Sequence, residues 1–196
     1  MDFLSAKEYA LKRLQNELPS NLYYHGLHHT KDVCNVAEHL AQLEKVKEED
    51  LALLRTAAWF HDMGFITQYA KNEPVAADFA REVLPSFGYS PEQVEVVANC
   101  ILATAVPQQP KTLLEEILCD ADLDYLGRDD FYMIAQSLRR EWLDNGLFTK
   151  SLKSWYEVQY KFLSAHQYHT PSAIKLRQPT KLLHLAELKE LLGLDV

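Results

Sequence analysis

Apolar side chains recur at intervals of three and four residues along most of the chain, which is the spacing of one face of an α-helix. No stretch shows the sustained alternation of a half-buried strand, or an Asn-Gly turn between two such stretches. The pattern therefore predicts an all-α fold, a compact bundle of about eight helices. We expect them at residues 2–18, 28–43, 48–63, 73–87, 90–104, 112–126, 129–144 and 151–166, with a shorter closing helix at about 179–192.

Three polar side chains interrupt the apolar faces of these helices. His29 extends the apolar stripe of the second predicted helix by one turn, and His61 lies on the buried face of the third. Asp122 interrupts the apolar line of the sixth helix between Leu118 and Tyr125. A buried carboxylate is costly unless it takes up a proton or meets a cation, so a shared metal ion would satisfy all three groups. The pattern predicts a metal site between three helices.

The donor types restrict the metal. Imidazole and carboxylate ligands without a thiolate suit Mn, Fe, Co, Ni, Zn or Mg, and such a set leaves room for water. Water bound to a divalent metal ion ionises near neutral pH, and hydrolysis needs this activated water. The predicted site is therefore suited to catalysis as well as to binding.

Length and composition favour a single domain. With 196 residues, 47% of them apolar, the chain can bury one full core and is short for two. Its formal charge of −8 would repel nucleic acid and anionic lipid, so we expect neither as a partner. The first predicted helix is too charged for a signal peptide or a membrane span. We therefore expect a cytoplasmic protein, in which Cys34, Cys100 and Cys119 are reduced core residues.

Three stretches resemble the HD superfamily of metal-dependent phosphohydrolases. That family's first histidine, its His-Asp pair and its last aspartate have counterparts in the same order in residues 24–33 (YHGLHHTKDV), 57–64 (AAWFHDMG) and 119–127 (CDADLDYLG). Weaker similarity to a bacterial branch of the family extends to residues 72–73, 101–104 and 166–170. The resemblance covers about residues 23–127. It implies a phosphodiesterase-like fold for one HD-type domain of residues 1–196, with residues 128–196 as a C-terminal helical extension.

By this resemblance one divalent metal ion is bound by His29, His61, Asp62 and Asp122. Asp122 is preferred because the triplet Ala-Asp-Leu is similar to the family's last motif, and Asp120 stays the alternative. Binuclear members, including di-iron oxygenases, carry two further histidines between the His-Asp pair and the last aspartate. This chain has no histidine between Asp62 and Asp122, so the resemblance favours one metal ion and disfavours an oxygenase.

The resemblance also suggests catalytic roles. His25 is similar to the histidine that protonates the leaving oxygen in cyclic-nucleotide phosphodiesterases of related fold, and an imidazole titrates in a suitable range. Asp62 belongs to the catalytic set through the His-Asp pair. Glu73 either orients the attacking water or stabilises the start of its helix. The cations that could bind a phosphate group are Arg55, Arg128, Arg177 and Lys181, and for Arg177 and Lys181 a surface charge is the favoured interpretation.

The sequence therefore predicts a metal-dependent phosphohydrolase that cleaves a phosphoester of a small metabolite, such as a nucleotide, by metal-activated water. The alternative is a non-catalytic domain of the same fold that binds a metal or ligand, for sensing or for interaction with a partner. A metal site closed by protein side chains would favour that alternative. The expected partner is a small phosphorylated substrate, and both a monomer and a homodimer are compatible with the sequence.

Overall fold

The computed structural model describes residues 1–148 and 151–194, and within these ranges all regular structure is helical. The described residues form the helices α1 (Phe3–Glu17), α2 (Leu27–Leu43), α3 (Glu48–Phe60), α4 (Asn72–Val83), α5 (Pro91–Ala103), α6 (Leu113–Asp122), α7 (Phe131–Asp144), α8 (Leu152–Ala165) and α9 (Pro171–Leu191). Short 3-10 turns follow three of them, at Met63–Ile66, Leu84–Phe87 and Asp124–Gly127. The all-α prediction is confirmed. No helix among the described residues is long and apolar enough to cross a membrane.

Side-chain caps determine where several helices begin. Each capping side chain accepts a hydrogen bond from a backbone N–H in the first turn of its helix, which would otherwise lack a partner. These caps are Asp2, Ser90, Thr112, Ser151 and Thr170. At α5 the cap is reciprocal, because the Gln93 side chain accepts a hydrogen bond from the Ser90 N–H. The start of α5 is therefore encoded locally, as the sequence predicted.

Two groups of buried apolar side chains hold the helices together. The larger lies among α1 to α6 and includes the fully buried Phe60. The smaller lies among α7, α8, α9 and the turn after α6, and includes the fully buried Phe131 and Trp155. Each group also takes a residue from the other part of the chain, since Tyr24 packs in the second and Tyr168 in the first. The C-terminal helices are thus packed into the rest of the fold.

Helix α3 ends earlier than the sequence predicted. The prediction extended this helix to Met63, but the α-helix ends at Phe60 and a 3-10 turn follows. Gly64 is required for space, because a Cβ at this position would lie 2.0 Å from the carbonyl oxygen of Asn72. This close approach holds the start of α4 against the turn that follows the His-Asp pair.

Two other predicted helices are also shorter. The helix predicted for residues 73–87 ends at Val83, because Pro85 has no N–H to continue it, and Gly88 then turns the chain with a φ of 75°. The helix predicted for residues 112–126 ends at Asp122 and continues as a 3-10 turn. Asp122 is therefore the last residue of α6, not an interior residue.

The closing helix is longer than predicted. The prediction began it at about Pro179, because proline favours the first turn of a helix. The structure starts α9 at Pro171, with Thr170 as its N-cap, and places Pro179 inside the helix. The predicted start was wrong. Pro171 and Pro179 both carry the local signal of a helix start, and the structure uses the earlier one.

Asp120 of α6 anchors the start of α9. Its carboxylate accepts hydrogen bonds from the N–H groups of His169 and Thr170, both at 2.8 Å, and from the Thr170 hydroxyl at 2.7 Å. Asp120 is fully buried, so these three donors replace the water that a carboxylate would otherwise bind. The contact joins α6 to the start of α9.

We expect Asp120→Asn to lower the free energy of unfolding by about 2 kcal/mol, because an amide nitrogen would face N–H donors in a buried position. Urea unfolding measures this loss. Asp129→Asn, at an exposed position before α7, is the matched control and should leave the midpoint unchanged. Equal midpoints for Asp120→Asn and the parent would contradict the anchoring role.

Candidate metal centre and adjoining cavity

Three helix ends bring the predicted metal ligands together. His29 lies in the first turn of α2, His61 directly follows α3, and Asp122 ends α6. One ligand atom from each of these residues lies within 4.8 Å of the others. His29 Nε2 is 3.1 Å and His61 Nε2 is 3.7 Å from the same Asp122 oxygen, Oδ1. These separations suit ligands that share one ion at about 2 Å.

Asp62 lies beside both histidines. Its Oδ2 is 3.2 Å from His61 Nε2 and 3.5 Å from His29 Nε2. It falls outside the tighter group of His29, His61 and Asp122, in which all three ligand atoms are mutually within 4.8 Å. Asp62 Oδ2 and His61 Nε2 are both buried and have no hydrogen-bond partner. Two such atoms facing each other leave a polar position that a cation would satisfy.

The backbone sets the orientation of the His61 ring. His61 Nδ1 lies 2.8 Å from the carbonyl oxygen of Ala58, and it must donate the hydrogen bond because a carbonyl oxygen only accepts. In the neutral ring, Nε2 then carries the lone pair and is the nitrogen near the carboxylates. A hydrogen bond from the second ring nitrogen is the usual support of a histidine that binds metal.

The electrostatics of the site favour a positive charge. Burial disfavours protonation of His61, but Asp62 and Asp122 outweigh it and raise the pKa of this histidine well above its usual range. Burial likewise raises the pKa values of Asp62 and Asp122, yet the histidines lower both on balance. Helices α3 and α6 end here, so the partial negative charge of their C-termini adds to that of the carboxylates. The donors present therefore fit a divalent cation.

A cavity of about 510 Å³ adjoins this cluster, within the range of small-molecule sites. Its lining includes the ionisable residues His25, Asp62, Glu73 and Asp122. Elsewhere its walls are mainly apolar or aromatic, with Phe65, Tyr69, Leu138, Trp142, Leu147, Val158 and Phe162. Val106 and Leu147 line it and are both more than half exposed, so the cavity reaches the surface. Ligands can therefore enter.

The sequence pattern of the HD domain matches residues 26–124, a stretch that begins at the N-cap of α2 and ends just after α6. The chain belongs to the HD domain family. The resemblance seen in the sequence is thereby confirmed. All four predicted ligands of this HD domain lie inside the matched stretch, whereas α7, α8 and α9 lie outside it.

Three solved structures are similar to this HD domain over nearly the whole chain. A predicted HD superfamily hydrolase from an uncultured Thermotogales bacterium has 21% identity and a TM-score of 0.63, covering 95% of this chain and 91% of its own. A protein from Lactobacillus plantarum has 18% identity and a TM-score of 0.68, covering 96% and 94%. YpgQ from Bacillus subtilis, in complex with ADP, has 17% identity and a TM-score of 0.65, covering 97% and 96%. At these identities the likeness shows a shared fold. No curated protein matches the chain.

The two alternatives for the last ligand of the HD domain have different surroundings. Asp122 faces His29 and His61, whereas both carboxylate oxygens of Asp120 accept hydrogen bonds from the start of α9. Residues two apart on a helix point in different directions. The geometry therefore brings Asp122, and not Asp120, to the candidate centre.

Glu141 of α7 is a residue at this HD site that the sequence analysis did not select. Its fully buried carboxylate accepts hydrogen bonds from the N–H groups of Tyr24 and His25, at 2.8 and 3.0 Å, and from the Tyr69 hydroxyl at 2.6 Å. It also lies 2.5 Å from His25 Nδ1. The sequence did contain a sign of its burial, because Glu141 lies three residues after Leu138, within the apolar stripe of α7.

The contacts of His25 fix its ring at the edge of the cavity. The ring stacks on Phe65, with 4.2 Å between the ring centres. Burial opposes protonation of His25, but the hydrogen bond to Glu141 and the nearby carboxylates raise its pKa on balance. Burial raises the pKa of Glu141, but contact with His25 lowers it on balance. The pair is therefore favoured in its ionic form.

Of the four candidate phosphate-binding cations, the structure brings Arg128 to the HD centre. It lines a second cavity, of about 300 Å³, together with His29 and Asp122. Its guanidinium is paired with Asp32 and Asp130, both at 2.6 Å, so much of its charge is already neutralised. Any contact with phosphate would compete with these two carboxylates.

In the described part of the chain, three of these cations line neither cavity, namely Arg55, Arg177 and Lys181. Arg55 pairs with Glu38 at 2.6 Å, and Arg177 pairs with Asp124 at 2.6 Å. Lys181 is buried and donates to the carbonyl oxygen of His166 at 2.5 Å. Their observed contacts are structural, and periodicity could not have shown which acidic or carbonyl groups they would meet.

We expect the purified protein to bind about one divalent ion per chain, and His61→Ala to lose it, because the Ala58-oriented imidazole supplies a central ligand. Metal content after dialysis measures both. His39→Ala, at an exposed position on α2, is the matched control and should keep the metal. If His61→Ala retains as much metal as the parent, the proposed ligand set is wrong.

In metal-free protein we expect the stability lost in Glu141→Gln to depend on pH. The pKa of His25 is raised from 6.5, so its contribution is complete below pH 6.5 and is lost as the pH rises through the raised folded-state value. The pKa of Glu141 is lowered from 4.5, so its contribution is complete above pH 4.5 and is lost as the pH falls through the lowered value. The loss should therefore be greatest between pH 4.5 and 6.5.

Urea unfolding in the presence of a chelator, over a pH series that spans both limits, measures this dependence. Glu157→Gln, exposed on α8, is the control and should show no such maximum. A loss of stability in Glu141→Gln that is the same at every pH would show that Glu141 and His25 do not form an ion pair.

Proposed function

We propose that this HD domain is a metal-dependent phosphohydrolase that cleaves a phosphoester of a small metabolite, with a nucleotide as the favoured substrate class. One observation carries the proposal. The buried, unpartnered atoms His61 Nε2 and Asp62 Oδ2 lie beside His29 and Asp122, and the two aspartates line a cavity that reaches the surface. A site with this access favours an enzyme over a closed binding module.

The similar structures support both parts of the proposal. The Thermotogales protein is described as a predicted HD superfamily hydrolase, which agrees with hydrolytic chemistry. YpgQ of Bacillus subtilis was solved with ADP, which agrees with a nucleotide in the cavity. Each protein matches this chain over more than nine-tenths of its length, so the C-terminal helices that line the cavity are included in the likeness.

The residues that would hold a divalent ion are His29, His61, Asp62 and Asp122. Such an ion supplies a Lewis acid that polarises a phosphoryl oxygen and makes water a stronger nucleophile at neutral pH. The protein fixes both imidazoles before a ligand arrives. His61 is held by the Ala58 carbonyl, and the His29 ring packs on Tyr24 with 4.6 Å between the ring centres.

His25 is the proposed general acid. Its Nδ1 is engaged by Glu141, which leaves Nε2 as the nitrogen available to a ligand in the cavity that His25 lines. The ionic pair keeps a proton on both ring nitrogens, so Nε2 can transfer one to the leaving oxygen. Glu141 acts through His25 and is a positioning residue.

The position of Glu73 is compatible with both roles that the sequence suggested, orienting the attacking water and stabilising the start of α4. It lies in the first turn of α4, where an acidic side chain stabilises the positive end of the helix, and it also lines the cavity with Asp62. Because it reaches the cavity, we assign it to the orientation of the attacking water.

The test is phosphate release from the phosphoesters AMP, GMP, CMP, UMP and ribose 5-phosphate, with Mn²⁺, Co²⁺ or Mg²⁺ added. We expect release from at least one nucleotide that needs the metal and is abolished by a chelator and in His61→Ala. In His25→Gln, kcat should fall by about 10²-fold or more at unchanged metal content, because the proton donor is removed. His39→Gln, on the exposed face of α2, should match the parent.

Two results would reject parts of this proposal. Metal binding without turnover of any of these compounds would favour a non-catalytic binding domain. A parent-like kcat in His25→Gln would remove His25 from the mechanism while leaving the metal-dependent reaction intact.

A further inference from the structure

Gln159 of α8 is a buried carboxamide without a partner. Only 4% of its surface is exposed, and its Oε1 is fully buried with no hydrogen bond. Within the part of the chain that the structure describes, no other side chain or backbone group pairs with it. An unpaired amide in the interior is less favourable than leucine or methionine at the same position. Its presence therefore points to a partner outside the chain.

The unpaired side chain lines the large cavity. Gln159 shares this lining with Asp62 and Asp122 of the candidate metal centre. Its neighbours in the wall are apolar, namely Val158 and Phe162 of the same helix and Leu138 and Trp142 of α7. Gln159 is therefore a carboxamide among the apolar and aromatic side chains that α7 and α8 contribute, whereas the polar lining residues Lys71, Asn72 and Thr104 come from the HD segment.

The walls of the cavity come from two parts of the chain with different chemistry. The HD segment contributes the carboxylates Asp62, Glu73 and Asp122, which suit a metal ion and the reacting phosphoryl group. Helices α7 and α8, outside that segment, contribute Trp142 and Gln159 with the neighbouring apolar side chains. A substrate that fills the cavity places its phosphate at the first part and its organic group at the second.

We propose that Gln159 recognises the organic part of the substrate, a flat heteroaromatic ring of the nucleobase type. A carboxamide both donates and accepts, and it pairs with a ring edge that presents an acceptor beside a donor. The aromatic walls of Trp142 and Phe162 suit the faces of such a ring. An alkyl group would leave the carboxamide unpaired. This inference rests on the proposed function and adds the residue that selects the substrate.

Gln159→Met tests the inference, because methionine keeps the length of the side chain and removes both hydrogen-bonding groups. For the best of AMP, GMP, CMP and UMP, we expect kcat/KM to fall about tenfold or more relative to that for ribose 5-phosphate, which has no base, mainly through KM. The melting temperature should stay the same or rise, since an unpaired amide is removed. Gln15→Met, exposed on α1, is the matched control and should change neither quantity.

An unchanged nucleotide KM in folded Gln159→Met overturns the inference, because the amide then has no ligand partner. If that variant does not fold, Gln159→Glu replaces it, with the same shape but only acceptor oxygens. The inference then requires a changed order of preference among the four nucleotides, and a preserved order rejects it.

Equilibrium binding separates this inference from the proposed hydrolysis. If the parent hydrolyses none of the compounds, the proposed activity fails, while calorimetry with the same four nucleotides still tests recognition. Weaker binding to Gln159→Met than to the parent and Gln15→Met supports the role of Gln159. Equal binding to all three proteins, or no binding to the parent, rejects it.

Discussion

The placing of two carboxylates, Asp62 and Asp122, in the interior of a helical bundle is the constraint on which the rest of the site depends. A charged carboxylate in an apolar interior is unfavourable unless a cation or hydrogen-bond donor faces it. The C-terminal ends of α3 and α6 add further negative potential at the same place. His29 and His61 are the groups that face them. Their ring nitrogens leave a buried position with the donor types and spacing of a divalent cation site. The helices are arranged so that this position opens into a cavity.

Glu141 connects α7 to the loop and turn beside this centre. By accepting hydrogen bonds from Tyr24, His25 and Tyr69, it fixes the loop before α2 and the turn before α4 against α7. The same helix carries Trp142 into the cavity wall. One helix outside the HD segment thus contributes both a cavity-lining side chain and the carboxylate that holds His25.

Asp120 shows how a local pattern can leave a choice that only distant contacts resolve. Asp120 and Asp122 are both acidic residues near the end of α6, and their spacing alone does not distinguish a ligand from a structural anchor. The start of α9, about fifty residues later in the chain, supplies the donors that Asp120 accepts. Glu141 and Gln159 were missed for the same reason, since burial by other helices distinguishes them from ordinary polar residues of an amphipathic helix.

The sequence by itself determined the all-α class and the helical faces that carry His29, His61 and Asp122, because both follow from a local period of 3.6 residues. The order of short motifs was enough to indicate the HD family. Only the tertiary structure decided where helices end, as at Phe60 of α3, and which polar groups meet across the fold, as Asp120 meets the start of α9. Those outcomes depend on space and partners supplied by distant segments, which periodicity along the chain does not encode.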